Sequence, residues 1–428
     1  MSKLNISGIL IFLSFIVSIY SYFFQKELLL LSGIFAWFAF ILLFESLKNK
    51  KFLWALFILS FLSFLICLIN DYKIDFIKVF TVNQYLLTLL IGVGFLRLIA
   101  TPKKIKVKEL PKGEKSFLKT YFGVHLFGSV INLSSLILVA DKMYKKASLS
   151  SLQVLLLTRA FASDAYWSPF FVAFAAAITY APNLNTFVIL LNGLFLSLIG
   201  FLITYVEVKK DKDFDISEFR GYPISFDTLY LPFMLAFLVL LTHSFFPDIK
   251  VIVLISIFSI SLTFLVLPMK KGFFKAKIKF KNHILEELPK MKTELSLFLV
   301  AGMFGILVGS ILLGLKLTLP FDNFDWFIAS ILLAIFIILG FIGIHPIITI
   351  AIIGDFLSGV NHTLLAITFL MAWATTVSTS PFSGLNLTIV ARYDFDAKEI
   401  FKLNILYAFK MYIVCTICLF LLSKYLNL

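Results

Sequence analysis

Arginine is rare in this chain: Arg97, Arg159, Arg220 and Arg392 are the four present in 428 residues. Charge of either sign is scarce, at 14% of residues against 60% hydrophobic. A soluble protein of this length needs more polar side chains to cover its core, so a water-soluble globular fold is excluded. Cysteine is nearly absent. Cys415 and Cys418 form a CxxC, but it lies inside the apolar run ILYAFKMYIVCTICLFLL, and Cys67 stands alone. With no loop or further ligand beside it, the pair reads as packing and supplies no metal or redox centre. Walker-type P-loops, HExxH and GxSxG are all missing, as is any large polar domain. ATP hydrolysis and those hydrolase chemistries are excluded with them, and no enzyme activity is expected.

What is present is long hydrophobic runs. Apolar stretches lie at about 5–24, 27–46, 52–70, 82–100, 119–140, 184–206, 226–246, 249–269, 295–317 and 402–424. Less regular apolar regions lie at 150–181, 326–360 and 363–391. Each regular run is long enough to cross a bilayer as a helix, and a membrane barrel would show short alternating segments instead. The expectation is an all-α, polytopic membrane protein with about 11–12 membrane segments. The first run leads into SYFFQKE without a small-residue cleavage site and is expected to be a retained span.

The net charge of +14 does not point to nucleic acid. Its lysines gather in short loops between spans, as cytoplasmic retention of positive charge requires, with some attraction to anionic lipid. Lys48, Lys50 and Lys51, the loop 101–119 and the stretch 270–294 are the basic connectors. Placing them in the cytoplasm puts the N-terminus there too. Heavy use of Phe, Ile and Lys with little Arg suggests an AT-rich bacterial genome, hence the inner membrane.

One short stretch occurs twice. Residues 159–170 read RAFASDAYWSPF and residues 371–382 read MAWATTVSTSPF. Ala160, Ala162, Ser168, Pro169 and Phe170 match Ala372, Ala374, Ser380, Pro381 and Phe382 without a gap, and Ser-Pro occurs nowhere else. Each copy interrupts a hydrophobic segment with hydroxyls and a helix-breaking proline, so Pro169 and Pro381 mark two breaks. Broken segments in corresponding positions of two halves point to a transport site.

Other landmarks support a duplication. GxH occurs at Gly123–His125 and Gly343–His345, upstream of the respective Ser-Pro by 45 and 37 residues, which implies a short insertion in the first copy. The connector at 318–325 is acidic where its counterpart 101–119 is basic, and 71–80 faces the basic 270–294. Opposite charges at corresponding positions fit an inverted repeat. The expected organisation is an extra span at 1–24, repeats at 25–206 and 224–428, and a polar connector at 207–223.

Charges in a membrane segment are functional candidates. Arg159 could hold an anionic solute with its guanidinium fork, and Asp164 could carry a proton or cation. Alternatively the two pair with each other, or Arg159 reaches the interface. The second copy offers hydroxyls in place of charge. Thr375, Thr376, Ser378, Thr379, Ser380, Ser383 and Asn386, with Ser163 and Ser168 of the first copy, could line a hydrated pocket or coordinate Na⁺. They could equally serve close helix packing. His125, His345 and Asp355 complete the ion-coupling candidates, with hydrogen bonding across helices as the plain reading of the histidines.

The twin segments and the glycine-rich spans before them resemble the ion transporter superfamily of divalent-anion/sodium symporters, arsenite pumps and sodium/proton antiporters. The resemblance covers roughly residues 25–425. It implies inverted repeats with two re-entrant hairpins, often in a homodimer whose transport domains move as elevators. The divalent-anion symporters carry Ser-Asn-Thr tips, which neither SDAYWSP nor TTVSTSP reproduces. The expected function is secondary active transport of a small, anionic solute across the inner membrane, coupled to H⁺ or Na⁺. Na⁺ would be the sole non-protein component besides solute and lipid. The alternatives are an enzyme of cell-envelope polysaccharide or lipid-linked sugar synthesis, and a membrane subunit that docks a partner on 270–294.

Overall fold

A computed structural model describes residues 2–47, 50–100, 109–222, 230–317 and 319–428. The chain is 79% helical, with no strand among the described residues. Nine of its described helical segments are long and apolar enough to cross a membrane, so this is a polytopic membrane protein. Lys48, the lysines of 101–108, residue 223 at the end of the polar connector and residues 224–229 at the start of the expected second repeat lie outside the described residues.

The chain opens with α1 (Lys3–Phe23), α2 (Leu28–Leu43), α3 (Lys50–Ile69), α4 (Phe76–Thr81) and α5 (Gln84–Ala100). Next come α6 (Glu114–Ile131), α7 (Leu133–Tyr144), α8 (Ser151–Ala162), α9 (Val172–Tyr180) and α10 (Thr186–Lys210). The second half holds α11 (Tyr230–Phe245), α12 (Val251–Lys271), α13 (Phe273–Asn282), α14 (Lys292–Gly314) and α15 (Trp326–Phe341). It ends with α16 (Pro346–Gly354), α17 (His362–Thr379), α18 (Gly384–Tyr393) and α19 (Ala397–Tyr425). Side-chain caps start many of them. Ser2, Asp75, Asn185, Asp325, Asn361, Ser383 and Asp396 each accept an otherwise orphaned amide of the first turn, and Ser150 forms a capping box with Gln153.

One span expected to be continuous is broken, and one of the less regular apolar regions divides in two. The run 119–140 divides at Asn132, whose φ of 51° is one that few residues other than glycine adopt. The region 326–360 divides between Phe341 and Pro346, where Gly343 has φ 103°. Conversely, α10 runs on to Lys210, so Glu207 belongs to a helix and not to the polar connector.

The chain forms two compact units that interleave its halves. The first is Met1–Ala100, Leu231–Pro320 and Ile347–Gly359; the second is Thr101–Tyr230, Phe321–Pro346 and Val360–Leu428. In the first, α1 packs on α2, α5 on α12, and α3 on α14. Glycines permit the close approaches: a Cβ on Gly8 would lie 2.1 Å from the Ile284 carbonyl oxygen. Gln84 Nε2 donates to Ser14 Oγ (2.6 Å) and Ser32 Oγ (2.7 Å), and Thr88 Oγ1 to Ser18 Oγ (2.7 Å), joining α1, α2 and α5 by polar contacts. In the second unit, α17 is buried along its whole length. It packs against α15, α19, α8 and α9.

Candidate functional site

Both Ser-Pro segments lie in the second unit and are built alike. After α8 the chain takes one 3₁₀ turn, Ser163–Tyr166, and then breaks at Ser168-Pro169; α17 ends at Thr379, just before Ser380-Pro381. In each copy the serine amide closes the last turn: Ser168 N–H donates to Asp164 O (2.9 Å) and Ser380 N–H to Thr376 O (2.8 Å). The proline following has no amide to continue the helix. In each copy the serine hydroxyl accepts the amide two residues on, Phe170 or Phe382, at 3.2 Å. It donates to a carbonyl beside the break in an earlier helix: Ser168 Oγ to Ser129 O, and Ser380 Oγ to Gly340 O at 2.7 Å. The hydroxyls of Ser168 and Ser380, two of the solute-contact candidates, thus satisfy broken backbone inside the protein.

The correspondence extends to glycine. Gly128 and Gly340 are 212 residues apart, as are Asp164 and Thr376, and Ser168 and Ser380. A Cβ on Gly128 would lie 2.2 Å from Asp164 Oδ2, and one on Gly340 would lie 2.4 Å from Thr376 Cγ2. The same spacing places Ile337 opposite His125, with no insertion. The GxH pair is thus not a corresponding landmark. His125 lies in the middle of α6, whereas His345 lies in the break before α16 with its ring edge-on to Trp373 at 5.1 Å.

The tight packing at the second glycine is directly testable. Gly340→Ala should destabilise the protein by about 1–3 kcal/mol, the usual result of forcing a methyl into a filled space. Thr376→Ser removes the crowded methyl and keeps the hydroxyl that donates to Ala372 O (2.7 Å), so it should restore most of the loss. Thermal unfolding of both variants in detergent checks this, and failure of the rescue would refute the contact.

His125 and Asp164 come together although the sequence separates them by 39 residues. Asp164 is fully buried, and its Oδ1 lies 2.7 Å from His125 Nδ1. Neither carboxylate oxygen receives a well-aligned hydrogen bond from the described residues. Trp167 Nε1–H donates to His125 Nε2 (3.3 Å), and Ser197 Oγ lies at the same distance from that nitrogen. Nε2 is then an acceptor, so the neutral ring carries its proton on Nδ1. That proton faces Asp164, Ser163 Oγ (3.0 Å) and Ala160 O (3.1 Å). A buried carboxylate with one ionisable neighbour and unused acceptor capacity is suited to taking up a proton.

Arg159 does not pair with Asp164. It is 2% exposed, and three of its five N–H groups are bonded within the protein: Nη1 to Glu207 Oε2 (2.5 Å), Nε to Asn404 Oδ1 (3.0 Å), and Nη2 to Leu403 O (2.8 Å). Its guanidinium carbon also sits 4.3 Å from the centroid of the Tyr407 ring. Lys410 reaches the other oxygen of Glu207 at 2.6 Å. Arg159 thus ties α8 to α10 and α19 in this structure. Glu207 and Asn404 were not legible as its partners, because Glu207 was read as part of a loop.

The second copy's hydroxyls turn inward. Thr375 and Thr376 donate to Met371 O (2.8 Å) and Ala372 O (2.7 Å), and Ser378 to Thr375 O (3.1 Å). Ser378 and Thr379 hydroxyls lie 3.2 Å apart, and Thr375 Oγ1 is 3.4 Å from the Tyr166 hydroxyl. At the turn, Ser383 Oγ donates to Val377 O (2.9 Å) and Asn386 Nδ2 to Ser378 O (3.1 Å) and Ser380 O (2.9 Å). Asn386 Oδ1 is buried with no partner among the described residues. A cavity of about 20 Å³, room for roughly one water, adjoins Gly343, His345, Thr376 and Ser383. Asp355 belongs to the first unit, 4.0 Å from Lys78 Nζ in a cleft of about 360 Å³, and is not part of this cluster.

No family model matches the chain, and no curated protein matches it in sequence. Among solved structures it is similar to the Alcanivorax borkumensis YdaH transporter, at 13% identity over 80% of this chain and 85% of that one, with a TM-score of 0.49. A likeness of that degree carries no argument about what this chain does.

Proposed function

We propose that this membrane protein is a secondary transporter, which moves a small solute across the bacterial inner membrane and exchanges its coupling proton at Asp164. The observation that carries this reading is the fully buried Asp164 carboxylate, 2.7 Å from His125 Nδ1 at a proline break. Ionisable groups at such a depth are costly unless they are used, and a proton relay is a common use. The twin Ser-Pro segments, with matching anchors and matching glycines, support two repeats whose broken helices meet around one site. In this reading the repeats are inverted and the basic stretches 109–119 and 270–294 face the cytoplasm, as the resemblance to the ion transporter superfamily implies, along with a homodimer.

The anionic class of solute loses part of its argument, since three of the five N–H groups of Arg159 are bonded within the protein. It now rests on hydroxyls and backbone amides at the second turn, so a solute screen should include anions, zwitterions and cations. Na⁺ coupling is favoured by one observation, the unpartnered oxygen of Asn386 in a turn rich in carbonyls.

Purified protein in liposomes decides between these. A pH gradient should drive uptake, and Asp164→Asn should abolish that dependence while His125→Gln weakens it. Uptake driven by Na⁺ alone and indifferent to Asp164→Asn would overturn proton coupling and leave the Asn386 turn as the ion site. No uptake of any solute class under either gradient, with the protein folded, would overturn transport.

A further inference from the structure

The helix α13 is short, basic and largely bare. It leaves the end of α12, a candidate membrane span that closes on Lys270 and Lys271, through Gly272, whose φ of 79° suits glycine. Ala276 and Phe280, one turn apart, are buried. Phe280 stacks on Phe264 of α12 with centroids 4.2 Å apart and packs on Phe95 of α5 at 5.8 Å. That edge fixes the helix to its unit and directs the rest outward.

Two chemistries share the outward side. Phe273, Phe274 and Ile278 are 79%, 75% and 44% exposed, and Phe274 and Ile278 form an i, i+4 ridge. At 100° per residue, Lys277 and Lys281 flank that ridge on one side and Lys275 and Lys279 on the other. All four lysines are exposed, and no acidic side chain among the described residues pairs with them. Glu287, which follows α13 in the chain, pairs with Lys290.

We propose that α13 is a binding surface for anionic phospholipid. Its Phe274–Ile278 ridge enters the headgroup region while the four lysines contact lipid phosphates. Water alone would leave the ridge as uncompensated apolar surface. A zwitterionic surface would leave the lysines without counter-charge, whereas an anionic bilayer satisfies both. An acidic protein partner would also attract the lysines. The position of α13 at the end of a span, with a narrow ridge two side chains long, favours the bilayer, which is always there.

Hydrogen exchange on the full-length protein in nanodiscs tests this. The α13 amides should exchange at least about tenfold more slowly in phosphatidylglycerol-containing discs than in pure phosphatidylcholine, because each lysine near an anionic surface adds to the attraction. The difference should shrink as salt rises, since screening shortens from about 10 Å at 0.1 M to about 3 Å at 1 M. It should vanish in the K275Q/K277Q/K279Q/K281Q variant and in F274S/I278S. Unchanged protection of α12 and α14 would show that these variants fold. Equal exchange of α13 in the two lipids would overturn the proposal. So would protection that survives the lysine variant, or protection that needs a co-purified protein.

Discussion

Replacing Arg159 with methionine should lower the thermal midpoint of the detergent-solubilised protein by on the order of 5–10 °C. The guanidinium is 2% exposed and donates to three separate groups on α10 and α19. Methionine has nearly the same length but no donor, so the cost is the loss of those bonds and not of volume. Glu207 would keep Lys410 at 2.6 Å, which limits the damage; the Leu403 carbonyl would keep its bond within α19, while Asn404 Oδ1 would lose its partner. Removing one partner of a buried pair costs about 3–5 kcal/mol because a charge is left behind, and removing both costs less. R159M/E207Q should therefore recover a good part of the shift. A midpoint within a degree of the parent for Arg159→Met would show that α8 is not held this way. It would also reopen the guanidinium as a solute ligand.

Gly128→Ala should reduce gradient-driven uptake as far as Asp164→Asn does. The added methyl would lie 2.2 Å from Asp164 Oδ2 and 3.2 Å from both Phe161 Cδ2 and Ser135 Oγ, so no direction is open to it. The carboxylate is the one group that can turn away, and turning takes it off His125. The stability loss should be modest, about 1–3 kcal/mol, as for other overpacked sites. Gly94→Ala is the control: its methyl would meet His283 Nε2 at 3.6 Å and Met291 Sδ at 3.8 Å, which is ordinary contact. Full uptake by Gly128→Ala would show that the geometry of the pair is not needed for transport.

The membrane spans were legible because continuous hydropathy records them directly, and expected and observed ends differ by a few residues at most of the uninterrupted helices. The breaks were half legible. Proline announced those at Pro169 and Pro381. Asn132 gave no warning inside GSVINLSSLI, because its break is fixed by contacts such as Ser168 to the Ser129 carbonyl, from 39 residues away. The likeness of the two Ser-Pro segments was visible in the sequence; the two glycines that keep the same spacing, Gly128 and Gly340, drew less notice there than the two histidines of GxH. Gly128 and Gly340 carry the correspondence because each leaves room for a side chain from another helix, and such a need has no periodic signature. Arg159 and Asp164 were rightly singled out as costly to bury. Their partners were not foreseen, since neither Glu207 nor His125 lies within helical reach of them in sequence.

The interleaving of the two units also sets an order of assembly. The first unit requires residues 1–100, then 231–320, then 347–359, while the second is threaded between those pieces and finishes after them. At a synthesis rate of roughly 5–20 residues per second, some 10–50 s pass between delivery of α5 and completion of its unit. Until α12 and α14 follow, α1, α2 and α5 have one another, α3 and α4 from this unit. The bonds from Gln84 to Ser14 and Ser32, and from Thr88 to Ser18, close entirely within this early segment. They give the newborn helices a polar reason to stay together before α12 and α14 arrive. Variants such as Gln84→Leu should then harm yield during biosynthesis more than they harm the finished protein.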